Sequence, residues 1–124
     1  MSKIESFKDL IVYQKAYMLA MEIFEITKSF PKEEKYSLTD QIRRSSRSVT
    51  SCLAECWAKR RYEKSFVNKL TDSIGEENET EVWIDYSKDC EYIKQETRDR
   101  LLSNYEEVRK MLISMINHPD KWCP

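Results

Sequence analysis

The chain has 124 residues, 35% of them charged, and its 21 Lys and Arg nearly balance its 22 Asp and Glu. This balance excludes a global electric field that would steer the whole molecule toward nucleic acid. One Gly and three Pro are too few for the many turns of an all-β or α/β chain. Because this length suits one hydrophobic core, we predict an all-α protein with a single domain over residues 1–124.

Charge is distributed unevenly along the sequence. Residues 1–70 carry 14 Lys and Arg against 9 Asp and Glu, a net charge of +5, and residues 71–124 carry 7 against 13, a net charge of −6. We therefore expect any anion-binding surface to lie in the first half.

The first six residues lack the long apolar core of a signal peptide, and the longest apolar run, residues 17–21, is too short to span a bilayer. We therefore expect a cytoplasmic protein with no membrane contact. Cysteines in that compartment, without the dense spacing of a secreted scaffold, are expected to be reduced thiols. The four are Cys52, Cys56, Cys90 and Cys123.

Apolar residues recur in steps of four and three over residues 9–30, which predicts the first helix. Its core-facing stripe is Val12, Ala16, Leu19, Ile23, Ile26 and Phe30. A second apolar stripe runs beside the first and makes the apolar face wider than one core contact requires. We expect this second stripe to form an oligomer interface; it consists of Leu10, Tyr13, Tyr17, Met21 and Phe24.

The second helix is predicted to begin at Ser37. The residue before Pro31 is pushed out of the α region, so the first helix ends there, and residues 32–36 form a polar connection. Ser37 and Asp40 have the spacing of a capping box. The stripe that follows is Leu38, Ile42, Ser45, Val49, Cys52 and Cys56. Small residues beside it would let a neighbouring helix approach closely; they are Ser46, Ser48, Ser51 and Ala54.

The remaining sequence predicts two more helices. One covers residues 62–91, with a polar middle at residues 75–81, and the other covers residues 95–117. The stripe of the fourth helix is Leu101, Tyr105, Val108, Leu112 and Met115. Helices about 30 Å long joined by short loops pack most simply as an antiparallel up-down-up-down four-helix bundle.

Five short segments resemble one known family: FKDL at 7–10, YQKA at 13–16, FPKEEKY at 30–36, LTDQIRR at 38–44 and Ala-Glu at 54–55. They are similar to the bacterial four-helix-bundle proteins encoded in 23S rRNA intervening sequences, also described as S23 ribosomal protein-like. The resemblance covers nearly the whole chain, and residues 30–44 are its most specific part. It implies a ring-like homo-oligomer, typically a homopentamer.

The resemblance also implies a role near RNA or another nucleic acid. Distant relatives are the accessory variability proteins of retroelements, which serve reverse transcriptases. Two positions depart from the family pattern, which usually has Pro where this chain has Thr50 and Gly where it has Cys56. Without a helix-weakening Pro and Gly, the second helix is expected to be straighter.

Two groups of basic residues are candidates for contacting phosphates, because the guanidinium fork suits phosphate oxygens. The first is Lys59, Arg60, Arg61 and Lys64, at the turn from the second helix to the third. The second is Arg43, Arg44 and Arg47, within about one turn of the second helix. The alternative is a solvated face with ion pairs to the bundle, which we favour for the second group. For the first group the two interpretations are balanced.

Four glutamates interrupt the third helix: Glu76, Glu77, Glu79 and Glu81. Paired carboxylates can hold a metal or act as acid and base. However, the Glu-x-x-His motif of di-iron bundles is absent and the single histidine, His118, lies outside the core stripes. We predict instead that one or two of them pair with arginines of the second helix, across the bundle or across a subunit interface.

The cysteines and most of the aromatic residues are best explained by packing in the core or at an interface. Cys52 and Cys56 are predicted to be buried apolar fillers, since a zinc site wants four ligands. Trp57, Trp83 and Trp122 are predicted to lie in the core or at an interface. Tyr62, among the basic residues, is the aromatic side chain best placed to stack on a base.

The sequence therefore favours a non-enzymatic homo-oligomer, with neither cofactor nor metal, that binds RNA or another nucleic acid through a basic rim. The second hypothesis is a protein-interaction scaffold or accessory subunit, without nucleic-acid contact, that uses the wide face of the first helix and the acidic second half. An enzyme ranks third, because one Gly leaves no Gly-rich phosphate loop and we find no catalytic constellation.

Overall fold

The computed structural model describes residues 3–124, and its chain folds into long α-helices without a strand in that range. The helices are α1 (Ile11–Thr27), α2 (Leu38–Ala58), α3 (Glu63–Asp89) and α4 (Gln95–Asn117). Single 3₁₀ turns cover their connections and ends at Phe7–Asp9, Lys32–Glu34 and Pro119–Lys121. No helix in this range is long and apolar enough to cross a membrane.

The four helices pack in a closed cycle. Each helix packs against the next one in the chain, and α1 closes the bundle by packing against α4. Within the described range, the backbones of α1 and α3 do not approach each other closely, nor do those of α2 and α4, so these pairs are diagonal. Short connections make sequential neighbours antiparallel. The predicted all-α four-helix bundle is therefore confirmed.

The predicted capping box at Ser37 is wrong. Ser37 precedes α2, but its hydroxyl makes no cap hydrogen bond and instead donates to Glu34 Oε1 at 2.6 Å. The carboxylate of Glu34 also accepts from the Leu38 backbone N–H at 3.4 Å and from the Tyr92 hydroxyl at 2.8 Å. The hydrogen bond from Ser37 contributes most to lowering the pKa of Glu34 below its ordinary value, and the bonds from Tyr92 and Leu38 lower it further. Glu34 thus ties the start of α2 to the α3–α4 turn.

The core contains most of the predicted stripes. All five residues of the α4 stripe are buried, and so are Val12, Ala16, Leu19, Ile23 and Phe30 of the first stripe, with Ile26 half-buried. In α2 the buried residue after Val49 is Leu53, whereas Cys52 is only half-buried. The stripe therefore steps by four and then three to reach Cys56.

The polar middle of α3 stays inside the bundle. Residues spaced by three and four are buried along its whole length: Phe66, Leu70, Ser73, Glu77, Thr80, Ile84 and Ser87. The small residues of α2 match this polar stretch. Ser73 donates to the Val49 carbonyl at 2.9 Å, and the hydroxyls of Thr80 and Ser45 lie 2.8 Å apart. Close helix approach allows these bonds, which satisfy buried hydroxyls.

Candidate nucleic-acid interface

The first basic group lies on a short, hydrogen-bonded turn at one end of the bundle. α2 ends at Ala58 and α3 begins at Glu63, so four residues join two antiparallel helices. The Lys59 N–H donates to carbonyls of the last turn of α2 at 3.1 Å, and the Tyr62 N–H donates to the Lys59 carbonyl at 3.0 Å. These bonds fix the backbone of the turn, so its side chains start from defined positions.

Arg60 packs against the protein itself. Its guanidinium carbon lies 3.5 Å from the centroid of the Trp57 ring, and its Nε donates to the Trp57 carbonyl at 2.9 Å. Cation–π stacking with a well-oriented indole holds an arginine in place. Arg60 therefore contributes a fixed positive charge to this end of the bundle.

The other three cations of this group reach solvent. Lys59, Arg61 and Lys64 are exposed, and none of them forms a salt bridge with another residue of the range 3–124. Tyr62 stands between them with 64% of its surface exposed. We name Lys59, Arg60, Arg61, Tyr62 and Lys64 the basic turn. Its exposed cations are available to an anion without breaking an existing pair.

The second basic group lies apart from the basic turn. Fifteen residues of helix separate Arg44 from Lys59, which corresponds to about 22 Å. Arg43 is committed to the bundle: its Nε donates to Thr27 Oγ1 at 2.8 Å, and its guanidinium carbon lies 4.8 Å from the centroid of the Phe24 ring.

The other two arginines of the second group are exposed. Arg47 covers the same ring of Phe24 at 5.8 Å, and Arg44 is close enough to α3 for its charge to act on Glu76. Both lie about three to four turns of helix before Lys59, so the two groups do not form one continuous patch.

The glutamates of α3 do not pair with the arginines of α2 inside the subunit. Glu81 forms a salt bridge with Arg109 of α4 at 2.9 Å, and Glu79 accepts from Trp83 Nε1 at 3.2 Å. The prediction fails within the bundle because Glu81 lies on the side of α3 that faces α4. Glu76 has no salt bridge with any described residue. Burial, and then the charge of Glu79, raise its pKa.

Glu77 is one of the four glutamates named from the sequence, but its burial in the core was not predicted. It is fully buried, and neither carboxyl oxygen accepts a hydrogen bond from a donor of the described chain. Burial raises the pKa of Glu77, and the nearby carboxylate of Glu81 raises it further. The group is therefore held in its neutral form. Its place in the three-and-four spacing of buried α3 residues was the sequence signal for this position.

The predicted interface stripe on α1 is only partly on the surface. Leu10 is a correction: it is 2% exposed and belongs to the subunit's own core. Tyr13 and Phe24 are half-buried. The residues that form the exposed apolar surface include two that the prediction omitted, Ile11 at 71% and Met18 at 72% exposed. We name this surface the α1 face; it consists of Ile11, Tyr17, Met18 and Met21.

The cysteines are all free thiols. Cys56 is buried in the core, and this burial raises the pKa of its thiol to about 12, so it remains protonated as an apolar filler should. Between residues 3 and 124, no three His, Cys, Asp or Glu side chains are grouped so that they could hold a metal ion.

Comparison with known proteins finds relatives by sequence and by structure. Residues 8–114 match the family described as 23S rRNA-intervening sequence protein. The fold is similar to the 1.70 Å crystal structure of a protein of unknown function from the S23 ribosomal protein family of Bacteroides thetaiotaomicron VPI-5482. The TM-score is 0.77 with 30% sequence identity, over 86% of this chain and 96% of that one. No protein with a curated description matches.

Proposed function

The chain belongs to the family of 23S rRNA-intervening sequence proteins, and from this premise we propose that it is a non-enzymatic homo-oligomer that binds RNA or another nucleic acid. A pentamer is the favoured assembly. The observation that carries the proposal is the basic turn: three exposed cations without an acidic partner in the described chain stand beside an exposed tyrosine on a hydrogen-bonded turn.

Binding at the basic turn would be electrostatic and mostly independent of sequence. Lysine and arginine contacts to phosphates position a protein on nucleic acid without reading its bases, and they release counterions from the backbone. Tyr62 adds a surface on which an unpaired base can stack. Arg44 and Arg47 are secondary candidates. Arg43 is the weakest, because its Nε already donates to Thr27.

Assembly would strengthen this binding. One basic turn can neutralise few phosphates, and each contributes modestly at physiological salt. A ring repeats the turn once per subunit, so a nucleic acid that engages one copy meets the others at high effective concentration. The proposed basic rim is this repeated turn.

A triple substitution tests the basic turn. Lys59→Gln, Arg61→Gln and Lys64→Gln together remove the exposed cations while retaining polar side chains. For a short structured RNA, the slope of log affinity against log salt should flatten by about 0.7 to 0.9 for each phosphate that the variant no longer neutralises. Fluorescence anisotropy over a salt series measures this slope.

The matched control removes three exposed lysines elsewhere on the molecule, at Lys35, Lys94 and Lys110. It changes the net charge by the same amount and should leave the slope close to that of the wild type. An equal decrease in both triple variants would mean that overall charge, rather than the basic turn, determines the affinity.

The second candidate function is a protein-interaction scaffold, which the α1 face favours. Ile11 and Met18 are largely exposed, and contiguous apolar surface of this kind is typical of protein contacts. Under this hypothesis Tyr17→Asp abolishes partner binding, whereas the triple substitution of the basic turn leaves it unchanged.

A further inference from the structure

We propose that the core of the bundle contains an internal water-binding site, formed by the carboxyl group of Glu77 on α3 and the hydroxyl of Tyr105 on α4. We name these two residues the buried pair; both are 0% exposed. Four buried side-chain oxygens of the described chain lack a hydrogen-bond partner, and three of them belong to the buried pair. The fourth is Thr39 Oγ1, in the first turn of α2.

The two members of the buried pair lie near each other. α3 packs directly against α4, and both residues occupy core positions of their helices. Burial raises the pKa of the Tyr105 hydroxyl, and the charge of Glu77 raises it further, an effect that weakens with distance. Their oxygen atoms nevertheless do not bond to each other directly. The two groups are therefore neighbours without a shared hydrogen bond.

The polar groups around the buried pair are already engaged elsewhere. Ser73 donates to a backbone carbonyl of α2 at 2.9 Å, and the hydroxyls of Thr80 and Ser45 lie 2.8 Å apart. Arg109 pairs with Glu81 at 2.9 Å. In folded proteins about nine-tenths or more of buried polar groups have a partner, which can be an ordered water. A partner for the buried pair must therefore come from outside the chain.

Small side chains leave room beside the buried pair on the α1 side. Two ion pairs align residues 15–22 of α1 with residues 100–107 of α4, and Tyr105 lies in the second of these segments. The buried residues of the first segment include Ala16 and Ala20. An alanine side chain ends at Cβ, so this stretch of α1 fills less of the core than leucines would. Space of this kind suits a molecule as small as water.

Serines line the same part of the core on the α2 side. Two hydrogen bonds align residues 45–49 of α2 with residues 73–80 of α3, and Glu77 lies in the second of these segments. The first segment buries Ser45 and Ser46. Short polar side chains therefore surround the carboxyl group, and buried water requires a polar site of this kind.

Water fits the chemistry of the buried pair better than a cation does. The neutral carboxyl group of Glu77 offers one donor and one carbonyl acceptor, and the Tyr105 hydroxyl also donates and accepts. A water molecule has two donors and two acceptors, so it can bond to both residues at once. A calcium or magnesium ion requires about six or more oxygen ligands, and nowhere among residues 3–124 do three metal-ligating side chains come together.

Tyr105→Phe tests the site because the alternatives predict opposite signs. If a water bonds to the hydroxyl, the variant loses a hydrogen bond, and the equilibrium constant for unfolding should rise about five- to tenfold. If the hydroxyl is unpaired, its removal relieves an unsatisfied group and the constant should fall. In a Glu77→Leu background, where the water has lost its other partner, Tyr105→Phe should no longer raise the constant. Urea unfolding at about pH 5, where Glu77 is neutral, measures these changes.

Oxygen-17 relaxation dispersion counts the water molecules that remain inside the protein longer than it takes to tumble. The wild type should hold at least one more such water than the Glu77→Leu, Tyr105→Phe double variant. The matched control, Glu33→Leu with Tyr36→Phe, makes the same changes at exposed residues and should hold as many as the wild type.

Equal water counts in the wild type and the buried double variant would overturn the water site. If Tyr105→Phe nevertheless raised the unfolding constant, the buried pair would be bonded directly in solution. A Tyr105→Phe variant that is more stable than the wild type would also overturn the site, because it would show that the hydroxyl has no partner.

Discussion

At the scale of single residues, the least expected feature is a carboxyl group in the hydrophobic core. Glu77 is fully buried without a hydrogen-bond donor of the described chain directed at it, and an ionised carboxylate there would be very costly. The molecule avoids this cost by keeping the group protonated, while the neighbouring Glu81 is ionised and accepts from Arg109. The bundle should therefore become less stable when Glu77 must ionise.

Glu77→Gln should make the protein more stable at slightly alkaline pH. The folded-state pKa of Glu77 is raised above the ordinary value of 4.5, so its contribution is fully present below about pH 4.5 and is lost as the pH rises toward the folded-state pKa. Each pH unit in that window lowers the free energy of unfolding by up to about 1.4 kcal/mol. Glutamine keeps the shape of the neutral acid but does not titrate.

Urea unfolding at pH 5, 7 and 8 measures the effect. The variant should match the wild type at pH 5 and exceed it by on the order of 1–3 kcal/mol at pH 8. Glu33→Gln, at an exposed site, is the control and should run parallel to the wild type. A Glu77→Gln variant that is less stable than the wild type at pH 8 would show that the ionised carboxylate is needed.

At the scale of secondary structure, the α3–α4 turn carries a strained residue. Glu91 has φ 66°, the left-handed conformation that glycine adopts most easily. Its N–H donates to the Lys88 carbonyl at 2.9 Å, and the Tyr92 N–H donates to the Ser87 carbonyl at 2.8 Å, which is the bond pattern of a Schellman motif. These bonds and the Tyr92–Glu34 hydrogen bond therefore hold the turn, although Glu91 itself would prefer a right-handed backbone conformation.

Glu91→Gly should raise the free energy of unfolding by about 0.5–1 kcal/mol, because it relieves the left-handed strain at this position. Glu91→Ala removes the same side chain without relieving that strain and should give no comparable gain. Thermal unfolding followed by circular dichroism compares the two. Equal gains for Ala and Gly would attribute the effect to removal of the charge instead.

The sequence predicted the helices well because their stripes repeat over several turns. The bounds of α4 agree with the prediction, α2 begins one residue after the predicted start, and α1 and α3 differ from the prediction by three residues or fewer at each end. The errors lie where two neighbouring residues can fill the same structural role, or where one side chain has two possible hydrogen-bond partners. Ser37 bonds to Glu34 instead of capping α2, and Leu53 displaces Cys52 from the core. Spacing alone does not decide such competitions between neighbours.

The candidate site was predictable in position but not in detail. The basic run at residues 59–64 was readable from the sequence, and so was its place at the turn between two helices. Which cations remain unpaired depends on side-chain packing such as the stacking of Arg60 on Trp57. The exposure of Ile11 and Met18, and the burial of Leu10, depend on how α1 is rotated against its neighbours, which spacing alone does not fix.

At the scale of the whole molecule, the α1 face lies along the side of the bundle and the basic turn lies at one end. In the proposed homo-oligomer, subunits joined side by side would carry their basic turns on the same rim. The proposal therefore predicts that substitutions on the α1 face and substitutions in the basic turn affect assembly and nucleic-acid binding separately.

The measurement that tests this account most directly is size-exclusion chromatography with light scattering of the wild-type protein, with and without a short structured RNA. We predict an oligomer near five subunits at both about 50 mM and about 200 mM salt, with RNA co-eluting at the lower concentration and largely released at the higher one. An oligomer that ignores RNA in both buffers would contradict the nucleic-acid function and favour the protein scaffold. A monomer would contradict the assembly on which the rim depends.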